Sequence, residues 1–162
     1  MSGGPRDPAP PLLPAGTFRI DRDGVWRHEG LEVTHPGVVR NLYANLRAEG
    51  TGHHLQVGPV RIPVEVEDAP YVVTRLEAGP GNPVGDLTVH LTDGGAEVLD
   101  PASLWIGRRG TPYCRVKGGR FAARLSVAAW LQLAAFVDEE PATGDAWLTI
   151  GERRVPLARR GT

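Results

Sequence analysis

The most informative absence in this chain of 162 residues is cysteine, which occurs once, as Cys114. A lone cysteine cannot form a disulfide within the chain, which excludes the framework of small secreted domains and fits a reducing cytoplasm. Its position inside a predicted strand, beside Tyr113, predicts a buried, unreactive thiol. No run of about 18 apolar residues is present to cross a bilayer. We therefore expect a cytoplasmic protein that does not associate with membranes.

An excess of charge of one sign is also lacking, because 18 lysines and arginines face 19 aspartates and glutamates. With a net charge of -1, the protein has no overall positive field to attract nucleic acid or anionic lipid. Nucleic acid is disfavoured further because Trp26, Phe121 and Trp130 occur at core spacing rather than as an exposed stacking platform. Any anion binding must therefore come from a local patch.

Motifs for metal binding and catalysis are missing as well. The five histidines include no H-E-x-x-H pair, and the adjacent His53 and His54 would point to opposite faces of a strand. We expect neither a metal nor a cofactor. Glu65, Glu67 and Asp68 form a carboxylate cluster that could share acid and base roles, which leaves a carboxylate-dependent enzyme as an alternative. The other interpretation is a solvated strand followed by an aspartate turn.

What is present is an ordinary globular composition, 41% hydrophobic and 23% charged, at a length that suits one domain or two small ones. Residues 1–16 are the exception, because they hold five of the 15 prolines and predict a disordered tail. We divide the remainder into an N-terminal unit of hairpin and helix, residues 17–66, and a C-terminal unit, residues 67–162.

Turn residues and apolar periodicity place the secondary structure. Asp23-Gly24 predicts a hairpin. Pro36, with Thr34 or His35 as its cap, begins a helix that Gly50 ends. Further strands are predicted at 53–57, 60–66, 70–77, 86–92, 96–99, 103–107 and 112–117.

A second helix is predicted in FAARLSVAAWLQLAAFVDEE, residues 121–140. Because its other faces are also largely apolar, it should be buried more deeply than the first helix. A hairpin in AWLTIGERRVPLA then closes the chain. The apolar face of the helix consists of Val127, Trp130, Leu133, Ala134 and Val137.

Two stretches of the sequence are alike: LQVGPVRIPVE, residues 55–65, and LTIGERRVPLA, residues 148–158. They agree on Leu, Gly, Arg and Pro at positions 93 residues apart. Further matches are Gly24 with Gly119, Trp26 with Phe121, and the apolar faces of the two helices. The shared order predicts a duplicated unit of strand, glycine turn, aromatic strand, helix and hairpin, at 18–65 and 113–158. Chance agreement between amphipathic elements is the alternative.

The prolines of these stretches, Pro63 and Pro156, cannot donate to a sheet ladder, so we expect each hairpin to end a sheet. Arg61 and Arg154 stand two residues earlier, on the same strand face as the prolines. Each is either a solvated arginine at a sheet edge or a contact for an anion.

Cations surround a glycine turn at Gly118-Gly119. The turn is expected to lead into the second helix, where exposed N–H groups and cations together favour phosphate. A β-turn that carries solvated charges is the alternative. The cations are Arg115, Lys117, Arg120 and Arg124, with Arg19, Arg22, Arg27 and Arg40 around Asp23-Gly24 in the first copy.

The chain resembles the bacterial domain of unknown function 1285 family over nearly its whole length after residue 16. The resemblance is carried by FRIDRDGVWRHEGLEV, VRNLYANL, VRIPVEVEDAPYVV and TPYCRVKGGRFAARLSVAAWLQL. It implies repeated structural motifs, a C-terminal part similar to pleckstrin-homology domains, and a small-ligand site between the two parts for a nucleotide-like molecule, with a role in signal transduction. It implies no catalytic residues. The stretches VGPVRIP and LTDGGAEV depart from the family pattern.

We therefore predict an α+β protein, mainly antiparallel β with two helices, made of a duplicated strand-strand-helix-hairpin unit, with a C-terminal part resembling a pleckstrin-homology-like barrel. Its expected function is regulatory binding of a nucleotide-like anionic ligand at the interface of its units, with a signalling protein as a second candidate partner. An interaction adaptor without a ligand is an alternative. The predicted ligand site consists of Trp26, His28, Arg61, Glu67, Asp68, Tyr71, Arg115 and Arg120.

Overall fold

The structure, a computed structural model, describes residues 17–80 and 85–160. The tail predicted at 1–16 lies outside the described residues. Two compact units divide the chain, Met1–Asp68 and Ala69–Thr162. The division falls two residues after the one predicted from the sequence.

The first unit folds as a hairpin with a short third strand, a helix and a three-stranded meander. Its elements are β1 (Phe18–Ile20), β2 (Trp26–His28), β3 (Leu31–Glu32), α1 (Pro36–Asn45), β4 (Leu46–Glu49), β5 (Gly52–Val57) and β6 (Val60–Val66). They form one sheet in the order β3-β2-β1-β6-β5-β4, antiparallel except between β1 and β6. The hairpin predicted at Asp23-Gly24 is confirmed, because Ile20 pairs with Trp26 across it.

Helix α1 begins as the sequence predicts and ends earlier. Pro36 occupies its first turn, where a missing N–H costs no hydrogen bond. His35 caps the helix, since its Nδ1 accepts the N–H groups two and three residues further on at 3.0 and 3.4 Å. The predicted end at Gly50 is wrong, because the helix stops at Asn45 and the next four residues pair with β5 as strand β4.

The core of the first unit lies on one face of its sheet, because side chains alternate along each strand. Phe18, Ile20 and Trp26 are buried there with Tyr43 of α1. The rings of Trp26 and Tyr43 meet edge to face, with centroids 5.3 Å apart. The opposite face is polar and carries Arg19, Asp21, Arg27, Glu65 and Glu67.

The second unit contains a seven-stranded sheet, one α-helix, a separate three-stranded meander and two short 3₁₀ helices, Pro101–Ser103 and Arg108–Gly110. Its elements are β7 (Tyr71–Ala78), β8 (Leu87–Leu91), β9 (Ala96–Val98), β10 (Trp105–Ile106), β11 (Pro112–Val116), β12 (Phe121–Leu125), α2 (Val127–Ala134), β13 (Val137–Glu139), β14 (Ala146–Ile150), β15 (Arg153–Pro156) and β16 (Ala158–Arg159). The large sheet has the order β16-β10-β11-β12-β7-β8-β9, and the small sheet is β13-β14-β15. Parallel pairs are β7 with β12 and β10 with β16.

All seven strands predicted between residues 53 and 117 are present, as β5 to β11, with ends within two residues of the prediction. The helix prediction over 121–140 is wrong at both ends. Strand β12 occupies its start, paired with β11 and β7, and strand β13 occupies its end. Helix α2 begins only after Ser126, whose hydroxyl oxygen accepts the N–H of Ala129 at 3.1 Å as an N-cap.

Helix α2 is less deeply buried than its composition predicts. Ala129 and Leu133 are fully buried, whereas Val127 is 74% exposed and Leu131 is 66% exposed. Each of the two helices buries two side chains. Helix α2 has eight residues and α1 has ten, so the expectation that α2 is the more deeply buried helix stays a prediction. Apolar residues on all faces of a helix do not by themselves supply a packing partner.

The large sheet of the second unit is strongly curled. Lys117, in the turn between β11 and β12, contacts Glu97 on β9 and Asp93 before it, although β12, β7 and β8 separate β11 from β9. The outer strands β16 and β9 do not pair, so the described residues form no closed barrel. The α+β class, with mostly antiparallel pairing and two helices, is confirmed.

The expectation that each hairpin ends a sheet holds for one of the two. Pro156 lies on β15, an edge strand of the small sheet. Pro63 lies on β6, between β1 and β5, so the prediction is wrong there. Strand β1 is short and pairs with β6 only from Val64 onwards. Because Pro63 precedes that ladder, its missing N–H interrupts no pairing with β1.

The two meanders, β4-β5-β6 and β13-β14-β15, share one register. Corresponding pairs are Leu46 with Leu55 and Val137 with Leu148, then Leu55 with Ile62 and Leu148 with Val155. The turns also agree, because Gly58 and Gly151 both have positive φ, 57° and 61°. The meanders differ in their surroundings, since β6 continues into a larger sheet and β15 does not. Duplication of the whole unit stays a prediction.

Candidate functional site

The cations predicted to contact a ligand cluster at the cationic turn, which we define as Arg115–Arg120. Gly118 and Gly119 have φ of 69° and 83°, values that glycine adopts without strain and that a type I′ hairpin turn requires. The N–H of Arg120 donates to the Lys117 carbonyl oxygen at 3.4 Å. The turn leads into strand β12, so the predicted contribution of a helix N-terminus is wrong.

Lys117 fixes the backbone of the cationic turn. Its φ of 56° is uncommon for a residue with a side chain. Its N–H donates to both carboxylate oxygens of Glu97, at 3.0 and 3.3 Å, and its Nζ lies 2.7 Å from Asp93 Oδ2. The ammonium group also lies 5.6 Å from the Tyr71 ring centroid. These contacts hold the unusual conformation and match the charge of the lysine.

Arg115 and Arg120 are positioned by backbone carbonyls. Arg115 donates from Nε and Nη2 to the Gly119 carbonyl oxygen at 3.1 and 3.0 Å, and Arg120 donates from Nε to the Lys117 carbonyl oxygen at 2.8 Å. Both residues are exposed. Among the described residues, neither guanidinium group pairs with a carboxylate. The cationic turn therefore presents two oriented positive charges.

The corresponding turn of the first unit, at Asp23-Gly24, differs in its electrostatics, because its arginines face carboxylates. The ion pairs are Arg19 with Glu67 at 3.0 Å, Arg27 with Asp21 at 3.1 Å and Arg22 with Asp68 at 3.9 Å. The charges of this turn are thus largely matched within the unit.

These ion pairs border an open pocket of about 400 Å³ on the polar face of the first unit. Its charged lining is Arg19, Arg27, Asp21, Glu65 and Glu67. Two arginines against three carboxylates leave a net charge of -1, so the pocket does not favour an anion. Partial burial acts to raise the pKa of Asp21, but hydrogen bonds from the Val25 N–H, Arg27 and the Asp23 N–H hold it below its ordinary value.

Arg61, a predicted anion contact, is already matched in charge. It forms an ion pair with Glu49, and its Nη2 lies 3.3 Å from His54 Nδ1. The hydrogen bond from Arg61 lowers the pKa of the Glu49 carboxyl group. Its counterpart Arg154 stacks over the Trp147 ring, 4.5 Å from the centroid. Only Arg154 lies on an edge strand, β15, as in the first of the two interpretations, whereas Arg61 lies on the internal strand β6.

Trp26 and His28, predicted to contact a ligand, lie on the core face of β2. Trp26 is 1% exposed, and His28 stacks on Phe18 with ring centroids 4.4 Å apart. Trp26 Nε1 and His28 Nε2 are buried with no hydrogen-bond partner among the described residues. A stacking role for Trp26 stays a prediction, and it would require the ring to be uncovered.

Tyr71 and Cys114 are buried in the second unit. Tyr71 is 2% exposed, and its ring centroid lies 5.3 Å from that of Phe121, so its predicted contact with a ligand also stays untested. Cys114 is fully buried, as expected from its position. Burial, with the nearby charge of Glu97, raises the pKa of the thiol to about 12. The sulfur therefore stays protonated and unreactive at neutral pH.

The predicted carboxylate cluster is placed among cations. Glu65 lies 4.0 Å from Arg19, which also pairs with Glu67, and Asp68 pairs with Arg22. Each of these three carboxylates therefore lies within 4.0 Å of an arginine.

Two further kinds of site are missing from the parts of the chain that the structure describes. No group of three or more histidine, cysteine, aspartate or glutamate side chains could hold a metal ion. Within 17–80 and 85–160, no helix is long and apolar enough to cross a membrane.

Sequence reasoning did not find Asp93 and Glu97, which hold the cationic turn. They precede Lys117 by 24 and 20 positions, and no local motif links them to it. Only the curl of the sheet brings β9 back to this turn, and curvature leaves no signal at single positions. The sequence Asp93-Gly94-Gly95 is typical of a turn, but it does not indicate which residue Asp93 contacts.

Fold and site together define an α+β protein with curled, mainly antiparallel sheets and a preformed cationic turn. The chain is similar to the crystal structure of a DUF1285 family protein from Silicibacter pomeroyi DSS-3, with 25% identity and a TM-score of 0.73, over 87% of this chain and 79% of that one. It is also similar to a DUF1285 family protein from Shewanella baltica OS155, with 17% identity and a TM-score of 0.63, over 74% and 91% of the two chains.

These structures confirm the resemblance to the domain of unknown function 1285 family that the sequence motifs predict. No protein-family model matches the chain. No curated protein matches it either.

Proposed function

We propose that this protein is a regulatory protein whose cationic turn binds the anionic group of a nucleotide-like small molecule. One contrast supports the proposal: Arg115 and Arg120 are contacted by backbone carbonyls, whereas Arg19 and Arg27 are paired with carboxylates. An arginine already matched by a carboxylate must give up that partner to bind an anion. Arg115 and Arg120 have no such competitor among the described residues.

The geometry of the two guanidinium groups suits an anion with several oxygens. Because Arg120 donates from Nε within the turn, its two terminal nitrogens can donate to a ligand. Arg115 donates from Nε and Nη2 within the turn, so its Nη1 can donate to a ligand. Hydrogen bonds from a charged donor to phosphate contribute about 1.5 to 3 kcal/mol each. Because the turn is already ordered, little side-chain entropy is lost on binding. A cytoplasmic role in signal transduction belongs to the same proposal and rests on the family resemblance.

Calorimetry tests the proposal with nucleoside mono-, di- and triphosphates and with inorganic pyrophosphate as the minimal probe. We expect Arg115→Gln and Arg120→Gln each to weaken binding at least about tenfold. The affinity of the unaltered protein should fall as salt is raised, because the arginines are exposed to screening. Arg115→Lys should bind with intermediate affinity, since it keeps the charge and loses the fork.

Arg108→Gln is the matched control, because Arg108 is an exposed arginine of the same unit outside the cationic turn. It should leave binding unchanged. Thermal unfolding of each variant separates a lost contact from a destabilised turn. Undiminished binding in both glutamine variants, or no binding of any phosphate compound, would overturn the assignment.

A protein-interaction adaptor is the second candidate function, and the exposed face of α2 favours it. Val127 and Leu131 lie one helical turn apart and are 74% and 66% exposed, and the helix contains no charged residue. Val127→Ser with Leu131→Ser would abolish capture of a partner and spare phosphate binding. The cationic-turn variants would have the reverse effect, so the two functions are separable.

We also propose that the two units arose by duplication. Support comes from the shared register of the two meanders and from the caps of the helices, His35 and Ser126, which lie 91 positions apart. A likeness of the second unit to pleckstrin-homology domains remains part of the proposal, supported by the order of a curled antiparallel sheet followed by a helix.

A further inference from the structure

The second unit contains an apolar pocket that the proposed function does not use. Its volume is about 220 Å³, below the roughly 300 to 1,000 Å³ of pockets for drug-sized ligands. A ligand smaller than a typical drug molecule fits this space. The apolar lining consists of Ile106, Trp130, Val137, Ala146 and Leu157.

Backbone hydrogen bonds fix the frame of this pocket. The Leu157 N–H donates to the Ala146 carbonyl oxygen at 2.9 Å, which ties the segment after β15 to the small sheet. The Arg160 N–H donates to the Ile106 carbonyl oxygen at 2.8 Å, which ties the same segment to the large sheet. The pocket lies where this segment passes from one sheet to the other, so its walls are held without a ligand.

Two side chains of opposite charge line the pocket, Glu139 and Arg159. Glu139 follows Val137 by two positions on β13, and Arg159 follows Leu157 by two, so each charge continues the apolar wall formed by its own segment. Among the described residues, neither side chain forms an ion pair or a hydrogen bond. The neighbouring Arg160, in contrast, stacks over the Trp105 ring, 4.4 Å from its centroid.

We propose that this pocket binds a small zwitterion with an apolar side chain, that is, a free apolar α-amino acid. The ammonium group of the ligand would face Glu139, its carboxylate would face Arg159, and its side chain would contact Trp130. A ligand with one charge would leave either the acid or the base without a partner. An uncharged ligand would leave both unused, while the small volume excludes a bulky one.

Calorimetry with leucine, isoleucine, valine, methionine and phenylalanine tests this site. Glu139→Gln and Arg159→Gln should each weaken binding of the preferred amino acid at least about tenfold. Derivatives identify which charge meets which residue. The amide of that amino acid lacks the carboxylate, so Arg159→Gln should not weaken its binding further. The N-acetyl derivative lacks the ammonium group, so Glu139→Gln should not weaken its binding further.

Glu152→Gln and Arg108→Gln are the matched controls, because both residues are exposed charges of the same unit outside the pocket lining. They should leave binding unchanged. Ala146→Leu fills the pocket from a strand wall and should abolish binding while the two charges remain. Failure of all five amino acids to bind at millimolar concentration would overturn the proposal. Equal binding by Glu139→Gln, Arg159→Gln and the unaltered protein would overturn it too.

Discussion

The N–H of Lys117 donates to both carboxylate oxygens of Glu97, at 3.0 and 3.3 Å, although Lys117 follows β11 and three strands lie between β11 and β9. This contact joins the cationic turn to an outer strand of the curled sheet. It also holds a lysine at positive φ, a conformation that persists only where the surroundings enforce it.

Glu97→Ala should therefore destabilise the second unit by about 1 to 3 kcal/mol, because a part-buried N–H loses a charged acceptor. Urea unfolding measures the loss. Glu152→Ala is the control, since Glu152 is exposed and should cost little. Equal stability of the two variants would mean that Glu97 does not hold the turn.

Glu29→Asn should stabilise the first unit. Glu29 has φ of 53° in the two-residue turn between β2 and β3, ahead of Gly30 at 83°. Asn-Gly is favoured in such turns because asparagine tolerates positive φ. We expect a gain of about 0.5 to 1 kcal/mol, seen as a higher thermal midpoint. Glu29→Ala removes the same charge but keeps the strain, so it should give no gain.

Because of Cys114, we expect the free energy of unfolding to fall as the pH becomes alkaline. Burial raises the pKa of its thiol to about 12, against 9.0 for an ordinary thiol. Above pH 9 the unfolded chain loses the proton and the folded chain keeps it, so stability falls as pH rises toward 12. At one pH unit above the ordinary pKa, the free energy of unfolding is lower by about 1.4 kcal/mol.

Urea unfolding at successive alkaline pH values measures this loss, and Cys114→Ala is the comparison. That variant should be less stable at neutral pH because a cavity remains, yet show a shallower alkaline slope. Native protein should also react slowly with a thiol reagent until it is unfolded. Rapid labelling of the native protein would contradict the burial of the thiol.

Because of His53, we expect the free energy of unfolding to fall as the pH becomes mildly acidic. Partial burial, with a smaller effect from the charge of His54, lowers its pKa below the ordinary 6.5. As pH falls below 6.5, the unfolded chain binds a proton that the folded chain resists, so stability declines until the folded pKa is passed. Thermal midpoints between pH 7.5 and 5.5 should show the decline. His53→Gln should reduce the slope, and an unchanged slope would exclude His53 as its source.

The fold was predictable from the sequence where local signals and tertiary pairing agree. Alternation and glycine turns located β5 to β11 within two residues. Phe121–Leu125 was wrongly predicted as helix, because alanine, arginine and leucine favour helix. Pairing with β11 and β7 makes this stretch a strand. The alternating burial of this strand is hidden in the sequence because Ala122 and Ala123 are both apolar. Ser126, the N-cap, was the one local signal for the correct boundary.

Leu46–Glu49 shows the same limit of local reasoning. The residues Leu-Arg-Ala-Glu are all good helix formers, yet they pair with β5 in the meander. The comparison between copies located the hairpins correctly, because their shared register depends on a short local turn.

The site was predictable only in part. Arg115 and Arg120 lie together at the glycine turn, as their spacing implies. Trp26 and Tyr71 were predicted to contact a ligand through their aromatic rings, and both are buried. Residue type alone does not distinguish an exposed aromatic ring from a buried one. Whether a cation is matched by a carboxylate depends on strands distant in sequence, as for Arg19 and Glu67.

All three sheets end in short strands, and this bears on how the protein behaves at high concentration. The outer strands β3, β4, β9, β13, β15 and β16 are two to four residues long. An edge of that length offers too few free backbone groups to template a strand from another molecule. Longer strands such as β6 and β7 lie inside their sheets, although β1 pairs with β6 only from Val64 onwards. The architecture therefore protects a chain rich in β-structure from edge-to-edge aggregation.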